Sequence, residues 1–330
     1  MNEKTRVIQY GLGPIGCACA RLIDERDSFE LVGAVDIDPA KVGRDVGEVI
    51  GLDRPLGVEV QGDLGEVGAD ADIVVHTTNS YFDQFTNQVL DILDAGLDIV
   101  STSEELSYPW GDHADEAAVV DEAAKRAGKT VLGTGVNPGF LMDSLPLFIT
   151  SIVQQVDHID VTRVINASKR RGPFQAKIGA GMTVDQFNSK MAEGRMGHVG
   201  LPESMAMLFD TVGKKLVTFE NKVQPVIAEK RVTTDLFDVQ PGQVRGLHQT
   251  GRGSTAEGEF ASLTFRAALD EEPDGDTITI KGSPDLTIKL CGTNGDLATV
   301  AMAINAIHRV QAAPPGLVTM RDLPIVTWRD

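Results

Sequence analysis

Three glycines in the order Gly11-Leu12-Gly13-Pro14-Ile15-Gly16 follow the apolar run Arg6-Val7-Ile8-Gln9-Tyr10 and precede a helical stretch, Cys17 to Arg26. Each glycine has a separate use in a turn that holds a diphosphate: a tight strand-to-helix turn, close backbone approach to the anion, and close packing of helix on strand. The start of the helix adds unpaired N–H groups and a partial positive charge. A second run, Glu30-Leu31-Val32-Gly33-Ala34-Val35, ends at Asp36. That is about twenty residues beyond the turn, where a carboxylate accepts hydrogen bonds from ribose hydroxyls. Strand, turn, helix, strand and acid come in the order a dinucleotide requires. Gly11, Leu12, Gly13, Pro14, Ile15, Gly16 and Asp36 are therefore candidate contacts to NADP or NAD. The 2′ position stays open: Asp36 repels a 2′-phosphate, whereas Lys41 and Arg44 follow closely and can pair with one.

Hydride transfer is the nicotinamide's own chemistry, so the protein must bind, orient, exclude water and manage protons. Ligands of an open parallel sheet gather beyond the carboxyl ends of its strands. Three segments stand there: Thr77-Thr78-Asn79, Thr102-Ser103-Glu104-Glu105, and Thr134-Gly135-Val136-Asn137-Pro138-Gly139. A carboxylate partly enclosed at Glu104 can rise in pKa enough to serve as acid or base near neutrality. The plainer alternative is that Glu104, Glu105 or both cap the following turn. Asn137 offers a donor and an acceptor to a carboxamide or a substrate; otherwise it starts a turn before a helix from Phe140 to Thr150. Arg163 interrupts the apolar strand Ile159 to Ile165 and needs a partner, either a substrate carboxylate or a structural ion pair. Phe140, Met142, Met196 and His198 are candidates for a substrate pocket, although such side chains more often belong to the core.

The elements that must position these groups alternate in type. Apolar runs at Asp72 to His76, Asp98 to Ser101 and Thr130 to Gly133 alternate with helical periodicity through about Ala95 and from about His113 to Ala127, and Val58 to Gln61 offers a further strand. This pattern builds a parallel sheet with helices on both faces. From about Asp157 the grammar changes to strands at Asp157 to Asn166, Lys215 to Val232, Val244 to Gly253, Glu257 to Leu269, Thr277 to Lys281 and Leu286 to Leu290. Helices are expected at Thr183 to Ala192, Pro202 to Val212 and Asp296 to Val310. The expected fold is α/β: an N-terminal Rossmann dinucleotide-binding domain over 1–150, with the tail from about 312 to 330 packing back on it. A C-terminal α+β domain over 151–311, with a largely antiparallel sheet, is expected for substrate binding and dimerisation. The acidic stretch Glu271-Glu272-Pro273-Asp274-Gly275-Asp276 is expected to be a solvated turn.

At 330 residues the chain can bury two cores. Its formal net charge of -18 argues against a nucleic-acid partner, which depends on clustered cations. Cys17, Cys19 and Cys291 have neither pairing nor metal-ligand spacing, so they are expected as small buried residues in a reducing cytoplasm, and no metal is expected. No basic-then-apolar leader precedes the first strand, and no segment reaches the length of a membrane span. HExxH, GxSxG and Walker patterns are absent, which leaves hydrolysis and phosphoryl transfer without support.

Several longer motifs carry a resemblance. Beside GLGPIG at Gly11 to Gly16 stand Ser101-Thr102-Ser103-Glu104-Glu105 and Gly133-Thr134-Gly135-Val136-Asn137-Pro138-Gly139-Phe140. Lys169-Arg170-Arg171-Gly172-Pro173, Lys177 to Thr183, Ala303-Ile304-Asn305-Ala306-Ile307 and Ala313 to Gly316 extend the match over nearly the whole chain. In these the sequence resembles the dihydrodipicolinate reductase-like group, and within it the 2,4-diaminopentanoate dehydrogenases and native amine dehydrogenases. The resemblance implies an enzyme that reversibly converts an amine to a carbonyl plus ammonia, with NAD or NADP carrying hydride, and that works as a homodimer. It implies Glu104 as the key acidic residue, and Arg44, Thr77, Thr78, Asn79, Asn137, Pro138, Gly139 and Asn305 are expected near the cofactor. Small ketones and aldehydes are the expected partners, since Arg163 alone is a thin basis for carboxylate binding. The alternatives are 2,4-diaminopentanoate as substrate, or a sensor that binds NAD(P) without turnover.

Overall fold

A computed structural model describes residues 4–194 and 196–329, so the first three residues and the last residue of the expected first domain lie outside the described residues. Two compact units divide the chain: Met1–Phe140 with Asn294–Asp330, and Leu141–Thr293.

The chain opens with β1 (Thr5–Tyr10), α1 (Pro14–Glu25), β2 (Phe29–Val35), α2 (Val46–Val49) and β3 (Val60–Gln61). It continues with β4 (Ile73–His76), α3 (Phe82–Asp94), β5 (Asp98–Ser101), α4 (Ala114–Ala127) and β6 (Thr130–Gly133). The second unit holds α5 (Ser144–Thr150), β7 (Gln155–Asn166), α6 (Gly172–Lys177), α7 (Val184–Ala192), α8 (Leu201–Thr211) and β8 (Thr218–Ile227). Next come β9 (Val232–Thr233), β10 (Asp238–Val239), β11 (Val244–Thr255), β12 (Gly258–Ala268), β13 (Gly275–Ser283) and β14 (Leu286–Leu290). The chain then returns to the first unit with α9 (Gly295–Gln311) and β15 (Gly316–Val318).

The first sheet runs β15-β6-β5-β4-β1-β2-β3, and every pairing in it is parallel. Successive residues of a strand point to opposite faces, and both faces are covered. Val7, Ile73, Val75, Val100 and Leu132 pack with α1 and α9, while Ile8, Val74, Ile99 and Val131 pack with α3 and α4. The helices carry their own stop and start signals. In α4, Asp115 and Glu116 in the first turn and Lys125 and Arg126 in the last complement the helix dipole, and Gly128 closes it in the left-handed conformation at φ 66°. The strand order reverses between β1 and β4, which is where such a sheet opens its ligand crevice.

The expected helix Asp296 to Val310 does not belong with the second unit. Val300, Ala303, Ile304, Ala306, Ile307 and Val310 of α9 are buried in the cluster that covers the parallel sheet. Each fully buried Val or Ile is worth about 1.5–3 kcal/mol, so this apolar stripe fixes the helix to the sheet it covers. The tail after it supplies β15 as the seventh strand, beside β6.

In the second unit a six-stranded sheet runs β14-β13-β7-β12-β11-β8, antiparallel except for the parallel pair β7–β12. Ile159, Val161, Leu263, Phe265, Ile278 and Ile280 form its buried face, in one core with Phe187 of α7 and Leu201, Met205, Leu208 and Phe209 of α8. The α/β fold, with a Rossmann unit followed by a largely antiparallel sheet, is as the sequence implies.

Several local expectations are corrected. The strand at Lys215 to Val232 ends at Ile227, and Val232–Thr233 pairs separately with Asp238–Val239. The helix after Asn137 begins only at Ser144, where Asp143 accepts from the Ser144 N–H at 2.5 Å. The acidic turn is only partly solvated: Glu271 is buried between Arg245 and Arg266, at 2.7 Å from each, and Asp276 is buried beside Arg163. Charges taken out of water need partners, and these two found guanidinium groups from neighbouring strands. Of the cysteines Cys19 is buried, Cys17 half-buried and Cys291 exposed, and all three thiols are free.

Candidate active site

The glycine turn has the three-part geometry its spacing implies. Gly11 sits at φ 89°, and a side chain there would lie 2.8 Å from the Thr77 carbonyl oxygen. A Cβ on Gly16 would run into the Gly11 carbonyl and lie 2.6 Å from the Thr77 hydroxyl, so this glycine lets α1 close onto the strand ends. Gly13 faces open space, with nothing within 4 Å of where a Cβ would stand. The N-terminus of α1 carries no side-chain cap, and Pro14 occupies the first turn. Its N–H groups therefore face outward, as anion binding requires. Buried Gln9 and half-buried Thr77 brace the turn: the Gln9 amide donates to the Gly11 carbonyl at 2.9 Å, and the Thr77 hydroxyl donates to the same oxygen at 2.8 Å.

Asp36, at the end of β2, is largely committed to the protein. Its carboxylate accepts from the Leu12 N–H at 2.6 Å and the Asp38 N–H at 2.8 Å, and pairs with Lys41 at 3.1 Å. Burial alone would lower the Lys41 pKa, but hydrogen bonds and attraction to Asp36 and Asp38 overcome it and hold the ammonium above the usual lysine range. Arg44 is exposed and pairs with Glu48 at 2.7 Å.

Glu104 and Glu105 follow β5 on a single 3-10 turn, Glu104–Leu106. Their roles differ. The Glu105 carboxylate accepts from the Phe82 N–H at 2.5 Å and lies 3.3 Å from His113, so it caps α3. Glu104 is half-buried, and one of its carboxylate oxygens is shut off from solvent. The turn is seated on Gly133 of β6, where a Cβ would fall 2.7 Å from the Ser107 nitrogen and closer still to the Leu106 carbonyl. Beyond β6, the Asn137 side-chain oxygen and nitrogen are both shielded from solvent and have no hydrogen-bond partner among the described residues. An amide left open in this way matches a group with one donor and one acceptor. Gly139 closes the loop at φ 118° against Gly135 and Thr134.

Two buried or half-buried residues, His76 and Gln88, carry no mark as candidates in the sequence. His76 ends β4 directly opposite Ser101, the last residue of β5, and is fully buried. Its Nδ1 lies 2.9 Å from the Ser101 hydroxyl, and its Nε2 lies 2.8 Å from Gln88 Oε1 and 2.9 Å from the Thr78 hydroxyl. Ser101 in turn meets the Ser103 hydroxyl at 2.9 Å and accepts from the Ser103 N–H at 3.1 Å. Burial pushes the imidazole pKa down to about 4, so the ring is neutral at pH 7. The available signal was a polar residue closing each of two apolar runs, Ile73-Val74-Val75-His76 and Ile99-Val100-Ser101.

The strand ends of the first unit thus gather Gly11 to Gly16, Asp36, Thr77 and Thr78 with exposed Asn79, Glu104, and Asn137 to Gly139. Asn305 is not among them. Its Oδ1 accepts from Arg26 at 2.7 Å, beyond the last residue of α1, about 18 Å along the helix from the glycine turn. Its side chain ties α9 to the far end of α1. Phe140 is half-buried at the edge of this unit.

In the second unit Met142 is fully buried in the core, and Met196 packs against that core. His198 stacks on Phe265 at 5.0 Å, with Gln249 bonded to both its N–H and its carbonyl. Arg163 stands between Phe265 and Asp276 in the sheet register, with its Nε 3.6 Å from Asp276 Oδ1. Burial pulls the guanidinium pKa down and the Asp276 pKa up, each opposed by the other's charge. Arg163 Nη1 is buried without a hydrogen-bond partner among the described residues.

A parallel sheet with its order reversed at β1 and β4 and an uncapped helix start over a glycine turn define a dinucleotide-binding unit of the NAD(P)-dependent dehydrogenase fold. Family models agree: dihydrodipicolinate reductase, N-terminus, matches residues 5–101, and the 2,4-diaminopentanoate dehydrogenase C-terminal domain matches residues 140–328. The chain belongs to the 2,4-diaminopentanoate dehydrogenase family, oxidoreductases acting on CH–NH2 groups. It is 30% identical to 2,4-diaminopentanoate dehydrogenase of Acetoanaerobium sticklandii, over 98% of this chain and 94% of that one. It is 23% identical to amine dehydrogenase of Streptomyces virginiae, over 96% of each. Among solved structures, amine dehydrogenase from Mycobacterium smegmatis matches with a TM-score of 0.89 at 27% identity, covering 99% of this chain and 98% of that one.

Proposed function

We propose that the chain is an amine dehydrogenase that reversibly aminates small ketones and aldehydes with ammonia, with Glu104 as its proton carrier. The observation that carries this is Glu104 itself, on a turn fixed at the end of β5, with one carboxylate oxygen withdrawn from water. NAD(P) supplies or accepts the hydride. Gly11 to Gly16 would hold its diphosphate at the start of α1, Asp36 and Lys41 would face its adenosine ribose, and Asn137 would hold its carboxamide. In the reductive direction the Glu104 carboxylate holds ammonium, passes its proton on as ammonia adds to the carbonyl, and the hydroxyl leaves as water. The iminium so formed is cationic, and a carboxylate shielded from water stabilises it strongly. The assignment extends to a cytoplasmic homodimer that acts on small molecules; the free thiols support a reducing setting, and the net charge of -18 speaks against nucleic acid.

One observation favours a second substrate. Arg163 has an unsatisfied buried Nη1 as well as its Asp276 partner, which suits a substrate carboxylate of the diaminopentanoate kind. NAD(P)H consumption with cyclohexanone, a short aldehyde and 2-amino-4-oxopentanoate, each with and without ammonium, separates the readings. Ammonium-dependent turnover of the plain carbonyls is expected. Turnover of the amino-keto acid alone would move the assignment to the second substrate, and silence with all three would leave a nucleotide-binding sensor.

A further inference from the structure

We propose that His76 is a positioning residue for Glu104, acting through the hydroxyls of Ser101 and Ser103 to hold the turn on which the carboxylate stands. The proposal rests on Glu104 being the proton carrier. His76 and Ser101 are register partners at the ends of adjacent strands, and both are fully buried. Gln88 Oε1 is an acceptor only and lies 2.8 Å from Nε2, so Nε2 carries the ring proton and Nδ1 is left to accept. The single Ser101 proton then goes to Nδ1, and the Ser101 oxygen accepts both the Ser103 hydroxyl and the Ser103 N–H. Each donor in this chain is used once, while the Ser101 oxygen accepts twice, which gives the chain one direction. Ser103 is the residue that begins the Glu104–Leu106 turn, and the Leu106 N–H bonds back to its carbonyl at 3.2 Å.

The other side of the ring reaches the neighbouring loop. The Thr78 hydroxyl sits 2.9 Å from Nε2 and donates to Gln88 Oε1 at 2.7 Å. One imidazole therefore joins the loop after β4 to the loop after β5. Tyr10 and Phe85 pack around it at 5.6 and 6.2 Å between ring centroids. With its pKa held down by burial the ring is neutral at pH 7, which leaves geometry as its contribution. Misplacement of a catalytic group by about 1 Å costs on the order of 100-fold in rate.

The test is a double-mutant cycle on the full-length chain, with kcat measured per NAD(P)H-binding site and NAD(P)H affinity followed by fluorescence titration. His76→Phe is expected to lower kcat roughly 10- to 100-fold while NAD(P)H affinity changes less than about threefold. In the Glu104→Gln background the same substitution should cost almost nothing further, because the group it positions is gone. Ser101→Ala, which cuts the link with His76 still in the core, should lower kcat in the same direction and keeps the test open if the Phe variant fails to fold. His76→Asn, whose amide oxygen can accept from Ser101 in place of Nδ1, should recover part of the rate. Independent, multiplying losses from His76→Phe and Glu104→Gln would overturn the proposal. So would variants that lose thermal stability yet keep wild-type kcat per binding site. A Glu104→Gln enzyme with near wild-type rate would instead remove the assignment of Glu104, a result distinct from either.

Discussion

A neutral, buried imidazole also makes a thermodynamic statement. His76 has a folded pKa of about 4 against 6.5 when unfolded. The unfolded chain therefore takes up a proton at a pH where the folded one does not, and stability rises with pH through this window. The contribution is complete above pH 6.5 and is lost as pH falls towards 4; a shift of this size corresponds to about 3 kcal/mol. Between pH 7 and pH 4.5 the wild type should lose about 2–3 kcal/mol more than His76→Phe does, measured from denaturant midpoints. Equal acid losses in the two proteins would mean that the ring is protonated in the folded state. Residue types alone did not mark His76, because a histidine closing an apolar strand is usually a satisfied core residue, and here its partners lie 12 and 25 positions away. Glu104 was legible since a lone carboxylate pair after a strand is conspicuous. The division of labour between it and Glu105 was not, because that depends on which oxygen meets the Phe82 N–H. The same limit misplaced Asn305: its spacing in an apolar helix is visible, but the end of the sheet at which it stands is not.

At the scale of elements, the β1–α1 turn separates a glycine that serves the fold from one that serves a ligand. Gly16 leaves no space for a methyl group between α1 and the Gly11 carbonyl, so Gly16→Ala must push the helix off the strand ends or strain the turn. Gly13 has an extended conformation open to alanine, φ -68° and ψ -176°, and nothing nearby for a methyl to strike. Gly13→Ala should accordingly keep the wild-type melting temperature within about 2 °C and weaken NAD(P)H binding at least tenfold, by holding the diphosphate off the helix start. Gly16→Ala should lower the melting temperature by several degrees, as substitutions that overpack by about 1–3 kcal/mol do. A calorimetric scan and a nucleotide titration of each variant separate the two. Loss of stability without loss of affinity in Gly13→Ala would refute the assignment of that open space to the diphosphate. Such elements were readable in advance because their glycines, apolar runs and caps are local. The end of β8 at Ile227 and the parallel pairing of β7 with β12 depend on partners distant in sequence, and neither leaves a local mark.

The first unit is built from segments near both ends of the described residues, and this binds nucleotide affinity to α9, which lies most of the sequence away from the glycine turn. β1 lies inside the parallel sheet between β4 and β2, and α9 covers the same face as α1, joined to it by the shared apolar cluster and by Arg26–Asn305. Amides in the middle of α9, from Ala303 to Ile307, belong to fully buried residues or their immediate neighbours and should exchange with solvent only when the unit opens as a whole. A nucleotide held by the β1–α1 turn adds RT ln(1 + [L]/Kd) to the cost of that opening, about 2.7 kcal/mol at a concentration 100-fold above Kd. Exchange in β1 and in the centre of α9 should then slow by the same factor, roughly 100. Hydrogen exchange with and without saturating NAD(P)H measures both segments in one experiment. Protection confined to β1 would mean that the returning helix opens on its own and that the C-terminal segment is an accessory to the nucleotide-binding unit. Equal protection would make the two ends of the chain a single cooperative body, so that a substitution deep in α9, such as Ile304→Asp, weakens NAD(P)H binding without touching any residue at the turn.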